Sequence, residues 1–156
     1  MSIRRIAIGT VVAALLALAA CATSPADEQR RKDMEADIDE ILTYELDKME
    51  FEDPGRCLSE SEYRSFRPLG NRHLLFEGRH GKQWANVLRG HCGNLDDDDI
   101  FVMRLSSSGR VCDQDRFEVH DRMSLGAGIG RACVLGEFKP VAKAQVQEIE
   151  ARLETR

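Results

Sequence analysis

Four histidines (His73, His80, His91 and His120), an aspartate run from Asp96 to Asp99, a glycine-rich loop from Gly126 to Gly130 and five cysteines hold most of the chemistry this 156-residue chain could perform. Imidazoles are the natural general bases and zinc ligands near neutral pH. For either role they must meet a nucleophile or one another. No two of them stand four residues apart on a predicted helix, and no serine or cysteine nucleophile has a motif around it. Single turn or surface histidines are the expectation, and His91 beside Cys92 would matter only if that thiol were free. The aspartates are oxygen ligands of the kind calcium takes, but the alternating pattern with an interior glycine and a distal glutamate is missing. A solvated turn ahead of a buried strand is expected there, its acids also discouraging edge pairing. Gly126, Gly128 and Gly130 are residues of the type that lets backbone N–H groups approach a phosphate. They lack the spacing, the following helix and the lysine of such a loop, so a strand connection is expected, with a mobile rim to a binding surface as its functional alternative. No metal, no cofactor and no catalytic set follows, and the chain reads as a protein that is not an enzyme.

Trp84 and Asn86 flank Ala85 on a predicted strand and so point to one side, with Phe76, Phe101 and Phe117 available either for a core or for an aromatic pocket. In a chain with nine aromatic residues, packing is the ordinary use of such side chains. A ligand-binding use would combine Trp84 and Asn86 with Gly126, Gly128 and Gly130.

Cys21 is the exception to the structural reading of cysteine. Arg4 and Arg5 form a short basic start, Ile6 to Ala20 is an apolar run broken only by Gly9 and Thr10, and small residues precede the cysteine. That is the layout of a secretory signal peptide, too short to span a bilayer comfortably. Leu18-Ala19-Ala20-Cys21 resembles the lipobox of bacterial lipoproteins, in which the cysteine is lipidated and becomes the first residue of the mature chain. The resemblance implies a membrane anchor made of several acyl chains, where one would bind only marginally. With Ala22 rather than an aspartate after the cysteine, it also implies the periplasmic face of an outer membrane.

Cleavage before Cys21 leaves 136 residues, enough for one domain with its own core. The leader takes Arg4 and Arg5 with it, so 20 basic and 27 acidic side chains remain and the formal charge is −7. Nothing in that balance favours nucleic acid or an anionic lipid surface as a partner. Cys57, Cys92, Cys112 and Cys133 remain, an even set that in an exported protein reads as two disulfides. A zinc site is the rival, and no C-x-x-C pair supports it. Three pairings are open; the one expected is Cys57–Cys133, tying the ends of the domain, with Cys92–Cys112 bracketing an internal strand.

Those residues must be held by the elements around them. Ser24-Pro25-Ala26-Asp27 reads as a helix start, with Ser24 as N-cap and Pro25 at the first helical position. The residues from 21 to 33 read as a lipidated N-terminus and polar spacer. From Met34 apolar residues recur at helical spacing through Ile38, Ile41, Leu42, Leu46 and Met49, until Pro54-Gly55 ends the helix. This face is expected to dock on the domain or on a partner. Residues 58–63 suggest a short helical turn. Strands are then expected at 73–77, 83–88, 99–105, 109–120 and 132–138, separated by turn residues. After Lys139-Pro140 a last helix carries Val146, Ile149 and Leu153 on one face. The fold class is α+β, a small antiparallel sheet or barrel of about five strands at 57–138, flanked by two helices, with 34–156 as one domain.

Cys57, Trp84-x-Asn86-x-Leu88-x-x-x-Cys92-x-x-Leu95, Val111-Cys112-x-x-Asp115 and Cys133-x-Leu135-Gly136-x-Phe138 together resemble a family of small exported bacterial proteins, many with lipoprotein signals, known as a domain of unknown function. The resemblance spans Cys57 to Phe138 and implies no activity, substrate or cofactor. It agrees with disulfides over metal. The function expected is that of a lipid-anchored cell-envelope protein acting as a non-catalytic interaction or structural module, with the membrane and an envelope protein as its partners. The alternative is a binder or inhibitor of a periplasmic enzyme or small ligand through the barrel rim.

Overall fold

A computed structural model describes residues 24–44, 46, 53–106, 109–122 and 130–155. The leader with Cys21, Met49, Gly126 and Gly128 lie outside the described residues.

Helix α1 (Pro25–Ile41) begins where its cap is read: the Asp27 amide donates to Ser24 Oγ at 3.2 Å, and Ser24 Oγ–H donates to Asp27 Oδ2 at 2.9 Å. Its first two turns satisfy their charges locally, Glu28 accepting from Arg31 at 2.6 Å and lying 3.3 Å from Lys32. These two cations hold the Glu28 carboxyl below its usual range. The helix stops at Ile41, short of the expected end. Thr43 supplies the reason: its amide and its hydroxyl both donate to the Glu40 carbonyl, at 3.0 and 2.6 Å, and turn the chain out of the helical path.

Residues 34–156 form one compact unit. It contains nine strands among the described residues, all antiparallel, in three sheets rather than one sheet of about five. β1 (Cys57–Ser59) pairs with β6 (Arg110–Cys112). The central sheet runs β2 (Tyr63–Pro68), β3 (His73–Gly78), β4 (Gln83–Val87), β9 (Glu137–Pro140). The third runs β5 (Ile100–Arg104), β7 (Arg116–His120), β8 (Arg131–Val134). The expected strands at 109–120 and 132–138 are thus two each, the first broken at Asp113 to Asp115 and the second bent at Leu135-Gly136. The expected helical turn at 58–63 is instead the end of β1 and a turn into β2.

Alternation along the central sheet builds two cores. Leu74, Phe76, Trp84 and Phe138 point one way, toward Leu58, Val111, Phe117, Val119 and Leu135 of the other sheets and their corners. Leu75, Ala85 and Val87 point the other way, and there the second half of α1 (Met34, Ile38, Ile41), Leu42 just after it and helix α2 (Lys143–Glu154; Val146, Ile149, Leu153) cover them. The apolar face of α1 is therefore occupied by the domain, which leaves Ile38 and Ile41 unavailable to a partner in this arrangement. Gln145 couples the two helices: its side-chain carbonyl accepts from the Ala142 amide at 2.9 Å while its NH2 donates to the Ile41 carbonyl at 2.9 Å, giving the last turn of α1 an acceptor's partner.

Two glycines are dictated by close approach. A Cβ on Gly78 would lie 2.5 Å from a ring carbon of Trp84, and one on Gly136 would strike the Val87 carbonyl oxygen. Among the described residues no helix is long and apolar enough to cross a membrane.

The disulfides are Cys57–Cys112, with Cα atoms 4.0 Å apart, and Cys92–Cys133, at 5.7 Å. This corrects the expected pairing of Cys57 with Cys133 and Cys92 with Cys112. The reason is topological: β6 pairs with β1 and not with β5, and the register sets Cys57 directly opposite Cys112. Cys92, in the segment after β4, is then left for Cys133 on β8.

Candidate functional site

The sequence-predicted residues are placed as follows. Trp84 and Asn86 are inside the core rather than on a rim, at 5% and 0% exposure. Asn86 Nδ2 donates to the Gly136 carbonyl at 2.9 Å and its Oδ1 accepts from the Gly136 amide at 3.0 Å, which holds the corner between β8 and β9 against β4. Replacing Asn86 with alanine leaves both buried backbone groups of Gly136 unpaired and should cost about 2–3 kcal/mol, measured by urea unfolding of the full chain. Gly130 is packed under the His120 ring, 2.6 Å from where its Cβ would stand.

Asp96 to Asp99 form the expected turn, the Asp96 amide donating to Asp99 Oδ2 at 3.0 Å. Arg131 and Arg122 lie 3.4 and 3.6 Å from Asp99 and Asp98. No group of three or more histidine, cysteine or acidic side chains placed to hold a metal ion occurs among the described residues.

The histidines separate into different settings. His80 sits in the turn after β3 with φ of 58°. His120 lies 3.4 Å from Glu118 on the outer face of β7, and Glu118 is held below the usual carboxylate range chiefly by its hydrogen bond from Arg104. His73 and His91 are brought to the same place, the acidic flank of α1. Glu35 and Asp39, one helical turn apart, face His91 Nδ1 at 3.3 Å and His73 Nε2 at 3.0 Å, and Arg72 lies 3.5 Å from Asp39. His91 is partly exposed, whereas His73 has no exposed surface. A carboxylate only accepts, so Nε2 carries the His73 proton toward Asp39 and Nδ1 is the bare nitrogen. That buried Nδ1 has no hydrogen-bond partner.

Burial holds the His73 imidazole below its ordinary pKa, outweighing Asp39 and Glu35, which favour the cation; Arg72 opposes it further. The cluster is an ion-paired seam beside the apolar seat of α1. It can fix a helix and register protonation.

Sequence reasoning missed Asp39, and it placed Asp115 in the cysteine frame without a role. Asp39 looks like one more acid on a polar helix flank. Asp115, 3% exposed, accepts from the Cys112 amide at 2.8 Å and the Ser106 amide at 3.0 Å, and its carbonyl accepts from Leu135 at 2.9 Å, so one residue joins the end of β6, the segment after β5 and the corner between β8 and β9. Its place three residues after Cys112 marks it in the cysteine frame, but the frame does not show that its carboxylate meets the Ser106 amide or its carbonyl the Leu135 amide.

Compared with known families, the chain matches over residues 4–156 the model of a family described as a family of unknown function (DUF6491). It belongs to DUF6491. The match extends well beyond the Cys57–Phe138 frame, to take in α1 and α2 of this DUF6491 chain. No curated protein and no solved structure matches it.

Proposed function

We propose that this DUF6491 chain is a lipid-anchored cell-envelope protein, held at the periplasmic face of the outer membrane through Cys21 and acting by contact with an envelope partner rather than by catalysis. The observation that carries the reading is the order of the first 25 residues: a basic start, an apolar run, Ala19-Ala20-Cys21, then a capped helix start at Ser24-Pro25. Only Ala22 and Thr23 would thus separate the lipidated Cys21 from the Ser24 cap in sequence. Two disulfides support export, because such bonds persist in oxidising compartments and are rare in the cytosol. The resemblance of the four-cysteine frame to that of small exported proteins points to the same compartment.

The alternative of a binding rim would need surface other than Trp84 and Asn86, both of which are buried. The partner-facing surface is likewise to be sought away from Ile38, Ile41 and Leu42, which pack inside the domain.

Intact mass of the membrane-extracted protein tests the anchor. The expected species begins at Cys21, carries a lipid adduct, and takes up four alkyl groups after reduction and none before. A chain that retains residues 1–20 without lipid, or free thiols at any of Cys57, Cys92, Cys112 and Cys133 before reduction, overturns the proposal. Loss of Cys21→Ala protein from the outer-membrane fraction would complete the argument.

A further inference from the structure

Helix α1 is held to the central sheet by two kinds of contact with different responses to acid. Ile38, Ile41 and Leu42 bury apolar surface, which pH does not touch. Beside them stands His73, roofed over with no exposed surface, bonded through Nε2 to Asp39 of α1 and ending at Nδ1 in a site without an acceptor. We propose that His73 is an acid-operated latch: protonation of its ring releases the segment Met34–Ile41 from the central sheet while the strands stay folded.

The physical argument runs through Nδ1. A second proton must go on that nitrogen, because Nε2 already carries one. In the docked state the new N–H would be buried and unpaired, which is costly for a cation. With α1 lifted, the same imidazolium is hydrated. The acid form therefore binds preferentially to the undocked state, and by linkage acid favours that state.

The surrounding charges set the size of the effect. Asp39 and Glu35 from α1 favour the cation in place, and Arg72, immediately before the strand, opposes it. On β4 the residue opposite is the uncharged Val87. Of the charged groups of α2, Arg152 pairs with Asp37 and Glu148, and Glu150 with Arg67. His91 works against release, since its cation would strengthen the contact with Glu35; being part exposed, that pair contributes little. Burial wins, so the docked ring resists protonation below the ordinary value of 6.5.

The sign follows. Above pH 6.5 both states are neutral and docking has its full strength; as pH falls below 6.5 the undocked ring protonates first and docking weakens, until the pH passes below the docked ring's own lowered pKa. At pH 5.5, one unit below the free value, the undocked state should gain up to about tenfold in population.

The test is hydrogen exchange of the full chain in detergent at pH 7.5 and 5.5, corrected for intrinsic rates. Amides of 34–41 should lose protection by up to about tenfold, while those of β3 and β4 keep theirs, and His73→Gln should abolish the difference with His91→Gln leaving it in place. Equal protection of 34–41 at both pH values, a pH effect that survives His73→Gln, or loss of protection in β3 and β4 in step with α1 would each overturn the latch. Should His73→Gln fail to fold, an NMR titration of the His73 ring in the unaltered chain decides: a midpoint at or above 6.5 contradicts the proposal, and one below it supports it.

Discussion

Replacing Cys92 and Cys133 together with alanine should lower the unfolding free energy of the chain by about 4 kcal/mol, a large part of the 5–15 kcal/mol that a domain usually has. The chain-entropy argument gives this size because the bridge closes a loop of 41 residues of sequence separation. For Cys57–Cys112, with a separation of 55, the same argument gives nearly the same figure, since closure entropy grows only with the logarithm of length. Location then separates the two. Cys92 and Cys133 both lie in the aromatic core and join the segment after β4 to β8, so their loss also removes buried sulfur from packed surroundings. Cys57 and Cys112 face each other across a ribbon whose register the bridge reinforces. Urea unfolding of the two double variants should therefore rank Cys92/Cys133 as the more damaging. Mapping of cross-linked peptides provides the independent check: recovery of a Cys57–Cys133 peptide from the unaltered protein would refute the topology from which the ranking is drawn.

Where one face of a strand is buried and the pattern is long enough, the fold can be read from residues alone. His73-Leu-Leu-Phe-Glu77, Gln83 to Val87, Ile100 to Arg104 and Arg116 to His120 alternate or run apolar between clear turns, and all four are strands. β1 and β6 have three residues each, below the length at which periodicity means anything, yet their pairing fixes a disulfide. β2, Tyr63-Arg-Ser-Phe-Arg-Pro68, hides because it is an edge strand with exposed charge and a terminal proline, which edge positions tolerate and sequence patterns do not reward. The number of sheets was illegible for the same reason: which strands pair is decided by contacts distant in sequence.

The seam on α1 shows the same limit from the side of chemistry. Ile38, Ile41 and Leu42 announce a docking face, and α1 does dock. Nothing local says that Asp39 on the flank of that face meets a histidine 34 residues away, or that the histidine is fully enclosed. The one available hint is parity: His73 shares its side of β3 with Leu75, which packs under the helices. An imidazole among those neighbours must be buried, and a buried imidazole needs a partner. Trp84 and Asn86 share a side of β4, as their spacing requires, but which side is interior depends on layers that pack on both faces of the strand.

Phe76→Ala should cost about 3–5 kcal/mol, the usual range for emptying a buried phenylalanine site. Phe76 has no exposed surface, and its ring centroid lies 5.3 Å from each of Tyr63, Phe66 and Phe138. Phe66 continues the contact to Phe101 at 5.6 Å, and Phe101 to Phe117 at 6.0 Å, so a chain of rings carries the central sheet onto the three-stranded one. Removing its hub loses transfer energy, leaves a cavity, and gives up ring-pair terms of about 0.5–1.5 kcal/mol each. Phe76→Leu keeps most of the volume and should cost less than half as much. Trp84, the single tryptophan of the chain, stands directly opposite Phe76 in the register and reports on the site without ambiguity. Its emission should move to longer wavelength in Phe76→Ala as water reaches the cavity, while Phe76→Leu leaves it in place. A loss below about 1 kcal/mol, with Trp84 emission unchanged, would mean that the sheets are joined elsewhere. Because Trp84 answers to the core, a change in its fluorescence on mixing with an envelope ligand would signal repacking of this aromatic junction rather than contact with the ligand itself.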